Sequence, residues 1–301
     1  MTTLREATLE SPKQHEVIDT DVLIVGAGIF GSVIGEALQV IGRDVSYIDA
    51  MVSNAGSRPA ACLMKSSWLS GMGKDAYQPA LNKLDELFGI QDVEFTLRPT
   101  GLKAMAHWIP PHRIFRWDQV IKGTVRSLSY ADGVDSTEVI VEAEIATKTH
   151  RIRPQLLVLA TGYWTKKLVP VEGLTGQGGA AFTWTGAKTF ANEIRAWAPY
   201  KQIVTLNGWD HDTLWVGDGS AILPKNWTAE RQHESLQRCA AFANQSPERA
   251  RTMYGIRPYV KGAKPCYLKQ VWRNVWVATG GAKNGTAAAG WCADQITRAV
   301  I

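Results

Sequence analysis

The chain has 301 residues, of which 45% are hydrophobic and 20% charged, with a formal net charge of +5. That balance excludes a disordered or fibrous chain and leaves enough apolar material for one large domain or two closely joined ones. The longest apolar runs, such as Leu156 to Ala160, are too short to cross a bilayer as a helix.

Residues 1–18 are polar and predict a loose tail with no secretory core. "DVLIVGAGIFGSVIGEALQVIGRDVSYID" then predicts strand, tight turn, helix and strand. Val22 to Val25 form a short β-branched run, as a strand covered on both faces does. Gly26, Gly28 and Gly31 follow at GxGxxG spacing, and Asp49 closes the second strand. This strand–turn–helix context, with an acid about twenty residues on, is a dinucleotide-binding pattern. Gly26 permits the turn, Gly28 admits a pyrophosphate to the backbone, and Gly31 lets helix and strand pack. The helix N-terminus attracts the phosphates, and Asp49 is placed to accept from a ribose.

Further along, "TEVIVEAEI" (Thr137 to Ile145) alternates as a half-exposed strand, and "QLLVLATGYWT" (Gln155 to Thr165) reads as a buried one. The helix before "VEFTLRPTGLKAMAHW" is expected to be brief, and the one after "PPHRIFRW" missing. Gln202 to Leu223 predict two strands joined by a polar turn, and Thr228 caps a helix running to Gln245. "GIRPYVKGAKP" (Gly255 to Pro265) reads as a glycine-bounded turn holding an arginine with no acid beside it. The last segment predicts a strand, a Gly-rich loop and a closing helix.

The four cysteines, Cys62, Cys239, Cys266 and Cys292, are scattered without metal-ligand spacing. They predict reduced buried thiols, no metal site and a cytoplasmic location. His107, His112 and His211 have no acid at triad spacing. Asp218 in "VGDGS" is a candidate to point into the active site, with a turn cap as the heavier alternative.

These motifs resemble the D-amino-acid oxidase and glycine oxidase family of FAD-dependent oxidoreductases. The resemblance covers residues 21–64, about 152–165 and, most clearly, 255–296. "GSRPAACLM" is similar to the family's segment beside the pyrophosphate and flavin, with Cys62 where a glycine is usual. "VLATGYW", "GIRP" and "VATGGAKNGTAAAG" are similar to three further family segments. The implied fold is α/β: a Rossmann-like FAD-binding domain with a smaller, mainly β substrate domain. The implied boundaries are 19–66, 110–180 and 250–301 for the cofactor domain, and 67–109 and 181–249 for the substrate domain. The implied FAD contacts are Gly26, Gly28, Ile29, Phe30, Gly31, Asp49, Ala50, Ser57, Arg58, Ala61, Cys62, Ala160, Thr161, Gly162, Gly281, Lys283, Asn284, Gly285 and Thr286. The closing helix would aim its N-terminus at the flavin. Arg257 matches the family's carboxylate anchor, with a main-chain carbonyl or FAD phosphate as its alternative partner. Tyr259 is a candidate beside the carboxylate, with packing as the alternative. Cys266 is a candidate for covalent flavin attachment, with a plain buried thiol as the heavier alternative.

The implied activity is hydride removal from a C–N bond next to a carboxylate, followed by imine hydrolysis, with oxygen as the acceptor. Charge placement bears on the substrate. From Arg249 to Ala293 lie Arg249, Arg251, Arg257, Lys261, Lys264, Lys269, Arg273 and Lys283, with no Asp or Glu. "HRIFRW" alternates arginine with aromatics, the pattern of a nucleic-acid groove. The chain therefore resembles the phage branch whose substrate is glycine attached to thymine in DNA, giving glyoxylate and 5-aminomethyl-deoxyuridine. The alternatives are a free D-amino acid, glycine or sarcosine, and a non-catalytic FAD- or nucleotide-binding protein of nucleic acid.

Overall fold

In the computed structural model, residues 17–65, 67, 72–130, 138–187, 192–198, 201–210 and 212–301 are described. His211 and most of the N-terminal tail fall outside them. Val17 and Ile18, expected in the tail, already belong to a strand.

The first sheet has seven strands. Strand β1 (Val17–Val25) lies between β2 (Val45–Asp49) and β8 (Lys148–Leu159), parallel to both. On its far side β8 carries β15 (Val275–Thr279) in parallel, and β14 (Tyr267–Trp272) closes that edge antiparallel. β6 (Val120–Tyr130) extends from β2, and β7 (Val139–Ile145) returns antiparallel to pair with β8. β7 is more buried than its alternating sequence predicts, because it sits between β6 and β8.

The apolar runs explain the layering. In β1, Val22 and Ile24 face one core with the helices, while Leu23 and Val25 face another with β7 and β15. Helix α1 (Ile29–Val40) and the last helix α5 (Gly285–Val300) pack together on the first of these faces. Between them in sequence, α2 (Lys74–Phe88) packs on α5. The expected brief helix is thus fifteen residues long. Pro79 is tolerated within it, and Gly290 of α5 leaves room for Ala80 and Leu84, whose atoms would lie 2.6 Å from a Cβ there. After "PPHRIFRW" comes no long helix, as expected. The segment holds only α3 (Pro111–Ile114) and a 3-10 turn, Trp117–Gln119.

The second sheet has eight strands in the order β13-β9-β12-β11-β10-β4-β5-β3. These are β3 (Leu63–Met64), β4 (Gln91–Arg98), β5 (Lys103–Trp108), β9 (Leu174–Thr185), β10 (Glu193–Ala198), β11 (Lys201–Leu206), β12 (Thr213–Gly217) and β13 (Arg251–Val260). Helix α4 (Ala229–Ala243), capped by the Thr228 hydroxyl accepting from Arg231 N, covers one face around Phe182 and Trp184. The other face, around Phe95, Ala181 and Trp215, has its own core.

"GIRPYV" is a strand, not a turn. β13 pairs antiparallel with β9 along its whole length, from Arg251 opposite Thr183 to Val260 opposite Leu174. β13, within the 250–301 stretch expected in the cofactor domain, therefore belongs to the second sheet. So does β3, within 19–66.

Candidate active site

A cavity of about 650 Å³ is lined by both sheets. On the first sheet's side, Gly26, Gly28, Ile29 and Phe30 line it at the start of α1. Gly26 has φ +98°, and a Cβ there would lie 2.6 Å from Ala160 O. A Cβ on Gly28 would meet the Ser57 hydroxyl at 2.9 Å, and one on Gly31 would collide with Gly26 O. Gly31 itself is not in the lining; it is the packing glycine its spacing predicts. Asp49 and Ala50 line the cavity at the end of β2. The Asp49 carboxylate accepts from Ala27 N (2.7 Å) and Met51 N (2.5 Å), which fixes its oxygens at the turn.

The segment after β2 brings Ser57, Ala61 and Cys62 to the cavity. Ser57 Oγ accepts from Ile29 N at 2.8 Å, tying the segment to the α1 N-terminus. Arg58 is not in the lining. It donates to Val52 O and Met51 O, 3.0 and 3.2 Å, and lies over the Trp117 ring. Cys62 has φ +56°, a left-handed conformation in which glycine is favoured. Burial pushes its thiol up to about 12, against a hydrogen bond with Thr286.

Ala160, Thr161 and Gly162 follow β8 into the cavity, and Gly281, Lys283, Asn284, Gly285 and Thr286 enter it at the start of α5. Two helix N-termini, of α1 and α5, thus open onto one cavity with no acidic residue in either first turn. Their free N–H groups and macrodipoles favour anions or developing negative charge.

The second sheet contributes Arg257. β12 would continue flat from Gly217 opposite Ala181 to Ile222 opposite Gly178, but Asp218 to Ala221 bulge out between those pairs. Such bulges re-aim groups next to sites. Here Arg257 donates through Nη2 to Ser220 O, and Lys283 Nζ donates to Gly219 O at 2.9 Å. Gly179 makes room for the guanidinium, which a Cβ there would strike. Loss of solvation lowers the pKa of Arg257; it lowers that of Lys283 too, with Arg257 adding to it and Asp218 opposing it in both. Among the described residues neither cation has an ion pair. The main-chain carbonyl named as Arg257's alternative partner is the one it has here.

Asp218 both lines the cavity and caps the turn. Its Oδ1 accepts from Ser220 N (2.9 Å) and Ser220 Oγ (2.6 Å), and its Oδ2 from Ser235 Oγ of α4 (2.5 Å). Sequence reasoning weighed a place in the site for Asp218 but set it below the turn cap of "VGDGS". It missed the β6 residues Gly123, Thr124 and Val125, which line the cavity with no motif to mark them.

Other singled-out residues lie elsewhere. Tyr259 is exposed and outside the lining. Cys266 is also outside it, buried 3.3 Å from the Cys292 sulfur, and all four cysteines are free and buried. His107 pairs with Asp92 at the surface, 2.8 Å across the β4–β5 ladder, an acid that spacing did not reveal. No metal-holding cluster occurs among the described residues, and no helix there is long and apolar enough to cross a membrane.

Two sheets around a glycine-rich dinucleotide turn, with two helix N-termini on one cavity, define a flavoprotein-type α/β fold. The model of the FAD-dependent oxidoreductase family matches residues 119–299, and the chain belongs to that family and depends on FAD. The opening glycine turn lies before the matched stretch. No curated protein sequence matches significantly. Among solved structures, iminodiacetate oxidase from Chelativorans sp. BNC1 is similar at TM-score 0.65 and 15% identity, covering 93% of this chain and 95% of that one. Glycine oxidase from Geobacillus kaustophilus gives 0.61 and 16%, covering 93% and 94%. L-proline dehydrogenase from P. horikoshii gives 0.61 and 14%, covering 94% and 95%. At these identities the likeness is one of fold.

Proposed function

We propose that this enzyme oxidises the C–N bond of an amine whose reacting carbon carries a carboxylate. The observation that carries this reading is the convergence of Arg257 and Lys283 on one bulge at the cavity wall, with no ion pair on either among the described residues. Both now donate to main-chain carbonyls, which a carboxylate would outbid as a charge-assisted acceptor. The names of three fold relatives, for iminodiacetate, glycine and L-proline, all denote carboxylated amines.

The residues fit FAD. Gly26, Gly28 and the α1 N-terminus would hold the pyrophosphate, with Asp49 at the ribose and Ser57 to Cys62, Ala160 to Gly162 and Gly281 to Thr286 along the rest. Bound there, FAD supplies the two-electron acceptor for the hydride leaving carbon. The chain's own part is orientation. Arg257 and Lys283 hold the carboxylate, so the adjacent carbon has a fixed place, and such positioning is a large share of catalysis. The α5 N-terminus stabilises negative charge that grows beside it. The apolar walls, Trp215 and Val204 among them, keep water from the reacting carbon. The imine is then hydrolysed, and for a glycine unit the products are glyoxylate and an amine. Dioxygen is the proposed acceptor; two of the relatives are named oxidases and one a dehydrogenase.

The finer reading places the glycine unit on thymine in DNA. The run of eight cations without an acid from Arg249 to Ala293 supports a polyanionic carrier. The aromatics lend less. In "HRIFRW", Trp117 is 41% exposed, but it stacks on Phe115 and donates toward Ala27 O.

Anaerobic bleaching of the flavin with glycine, sarcosine, a D-amino acid and glycine-modified DNA tests both levels. Reduction by carboxylated amines and not by their decarboxylated analogues is expected. Equal rates with methylamine analogues would end the carboxylate reading. Equal, salt-independent rates with free glycine and the modified DNA would end the DNA reading alone.

A further inference from the structure

Three tryptophans from the second sheet spend their only polar group on three consecutive carbonyls of one cavity segment. Trp215 Nε1 donates to Pro59 O at 3.1 Å, Trp209 Nε1 to Ala60 O at 3.1 Å, and Trp108 Nε1 to Ala61 O at 2.9 Å. The donors come from three places: β12, the turn after β11, and the end of β5. The acceptors belong to the segment that leaves β2 and lines the cavity.

Pro59, Ala60 and Ala61 have no side chain that can hold them in place. Only their main chain offers a handle, and Pro59 lacks even an N–H. An indole suits the task, since it is a donor only and brings a large apolar body that excludes competing water. The segment's flanks are also tied. Asn54 O accepts from Ile256 N at 2.9 Å, Ser57 Oγ accepts from Ile29 N, and Ile109 N donates to Cys62 O at 3.4 Å. Between these ties Ala60 N donates to Ser57 O at 3.1 Å, and the three indole bonds hold the carbonyls of Pro59 to Ala61.

We propose that Trp108, Trp209 and Trp215 form a three-point clamp that pre-positions the Pro59–Ala61 main chain for FAD, making the second sheet a working part of the cofactor site. Trp108 and Trp209 are positioning residues that act through the segment; Trp215 does the same and also lines the cavity.

The test is FAD affinity and the visible spectrum of the bound flavin, measured without substrate, so the outcome is independent of the amine proposed above. Trp108→Phe, Trp209→Phe and Trp215→Phe each keep an aromatic ring and lose the donor. Trp184→Phe is the control. Trp184 is buried and donates to Ser246 O at 2.8 Å, but on the α4 face, away from the cavity. Each clamp variant is expected to weaken FAD binding about fivefold, the equivalent of one hydrogen bond, and to shift the flavin absorption band. The control is expected to lose thermal stability with both readouts unmoved. Trp209, half-buried in a turn, is the variant whose folding is least at risk. Unchanged affinity and spectrum in folded Trp209→Phe and Trp215→Phe, with only a stability loss like that of Trp184→Phe, would overturn the clamp.

Discussion

Arg257 and Lys283 donate to adjacent carbonyls, Ser220 O and Gly219 O, of a single bulge. Two like charges are thereby held near each other, with buried Asp218 as the nearby counter-charge. The bulge is rigid because the Asp218 carboxylate takes three hydrogen bonds, one from Ser235 on α4. In the proposed reading this arrangement keeps two cations available for a ligand carboxylate.

Replacing Arg257 tests the first half of that statement. Truncating one side of a buried charge-assisted pair costs about 2–5 kcal/mol. Arg257→Ala is therefore expected to lower kcat/KM for a carboxylated amine by about 30-fold to several thousandfold, mostly through KM. Arg257→Lys recovers only part, since the bidentate geometry is lost. Steady-state kinetics checks this, and an unchanged KM in Arg257→Ala would remove the anchor.

The second half concerns pH. Lys283 is faced by Arg257 of β13 and Lys201 of β11, and by Asp218 of the bulge. Loss of solvation and Arg257 lower its pKa, so it loses its charge earlier on the alkaline side than an ordinary lysine. KM is expected to rise as pH climbs through that lowered value. Asp218 opposes the lowering, so Asp218→Asn moves the rise to lower pH. Lys283→Met abolishes the rise at the cost of a higher KM throughout. A KM–pH profile that is the same in all three proteins contradicts the assignment.

Gly31 tests the cofactor turn. A Cβ there collides with the Gly26 carbonyl, which is backbone and cannot yield, and lies 2.9 Å from the Ile24 side chain. Gly31→Ala is expected to purify with little or no flavin, read as absorbance near 450 nm. Full flavin content would show that the turn is not the pyrophosphate site.

Cys62 holds a left-handed backbone with a buried side chain. Cys62→Gly relieves about 1 kcal/mol of strain while losing a similar amount of burial, so its net effect on stability is within about 1 kcal/mol. Cys62→Ala loses burial and keeps the strain, and is expected to be the less stable by about 1 kcal/mol in urea unfolding. With its thiol pushed up to about 12, Cys62 should also resist alkylation at pH 8 in the native protein.

The sequence by itself determined the parts that depend on near neighbours. Val22 to Val25, the glycines at 26, 28 and 31, and the helical spacing that follows fix β1, the turn and α1 within one short stretch. The closing strand, loop and helix are legible for the same reason, and with them the cofactor class. Arg257 could be singled out because no acid stands near it in the chain.

Tertiary structure decided what those parts meet. "GIRPYV" carries glycine and proline, which read locally as a turn, yet ten residues of ladder with β9 hold it as a strand. Tyr259 shares that strand, two residues beyond Arg257, yet lies exposed and outside the cavity lining. Strand partners also buried β7 beyond its alternating pattern. The tryptophans are the clearest case: Trp215 and Pro59 are 156 residues apart, and nothing near either one signals the bond between them. Periodicity and turn chemistry act over a few residues, whereas a donor and its acceptor are matched only when the folded chain brings them to about 3 Å.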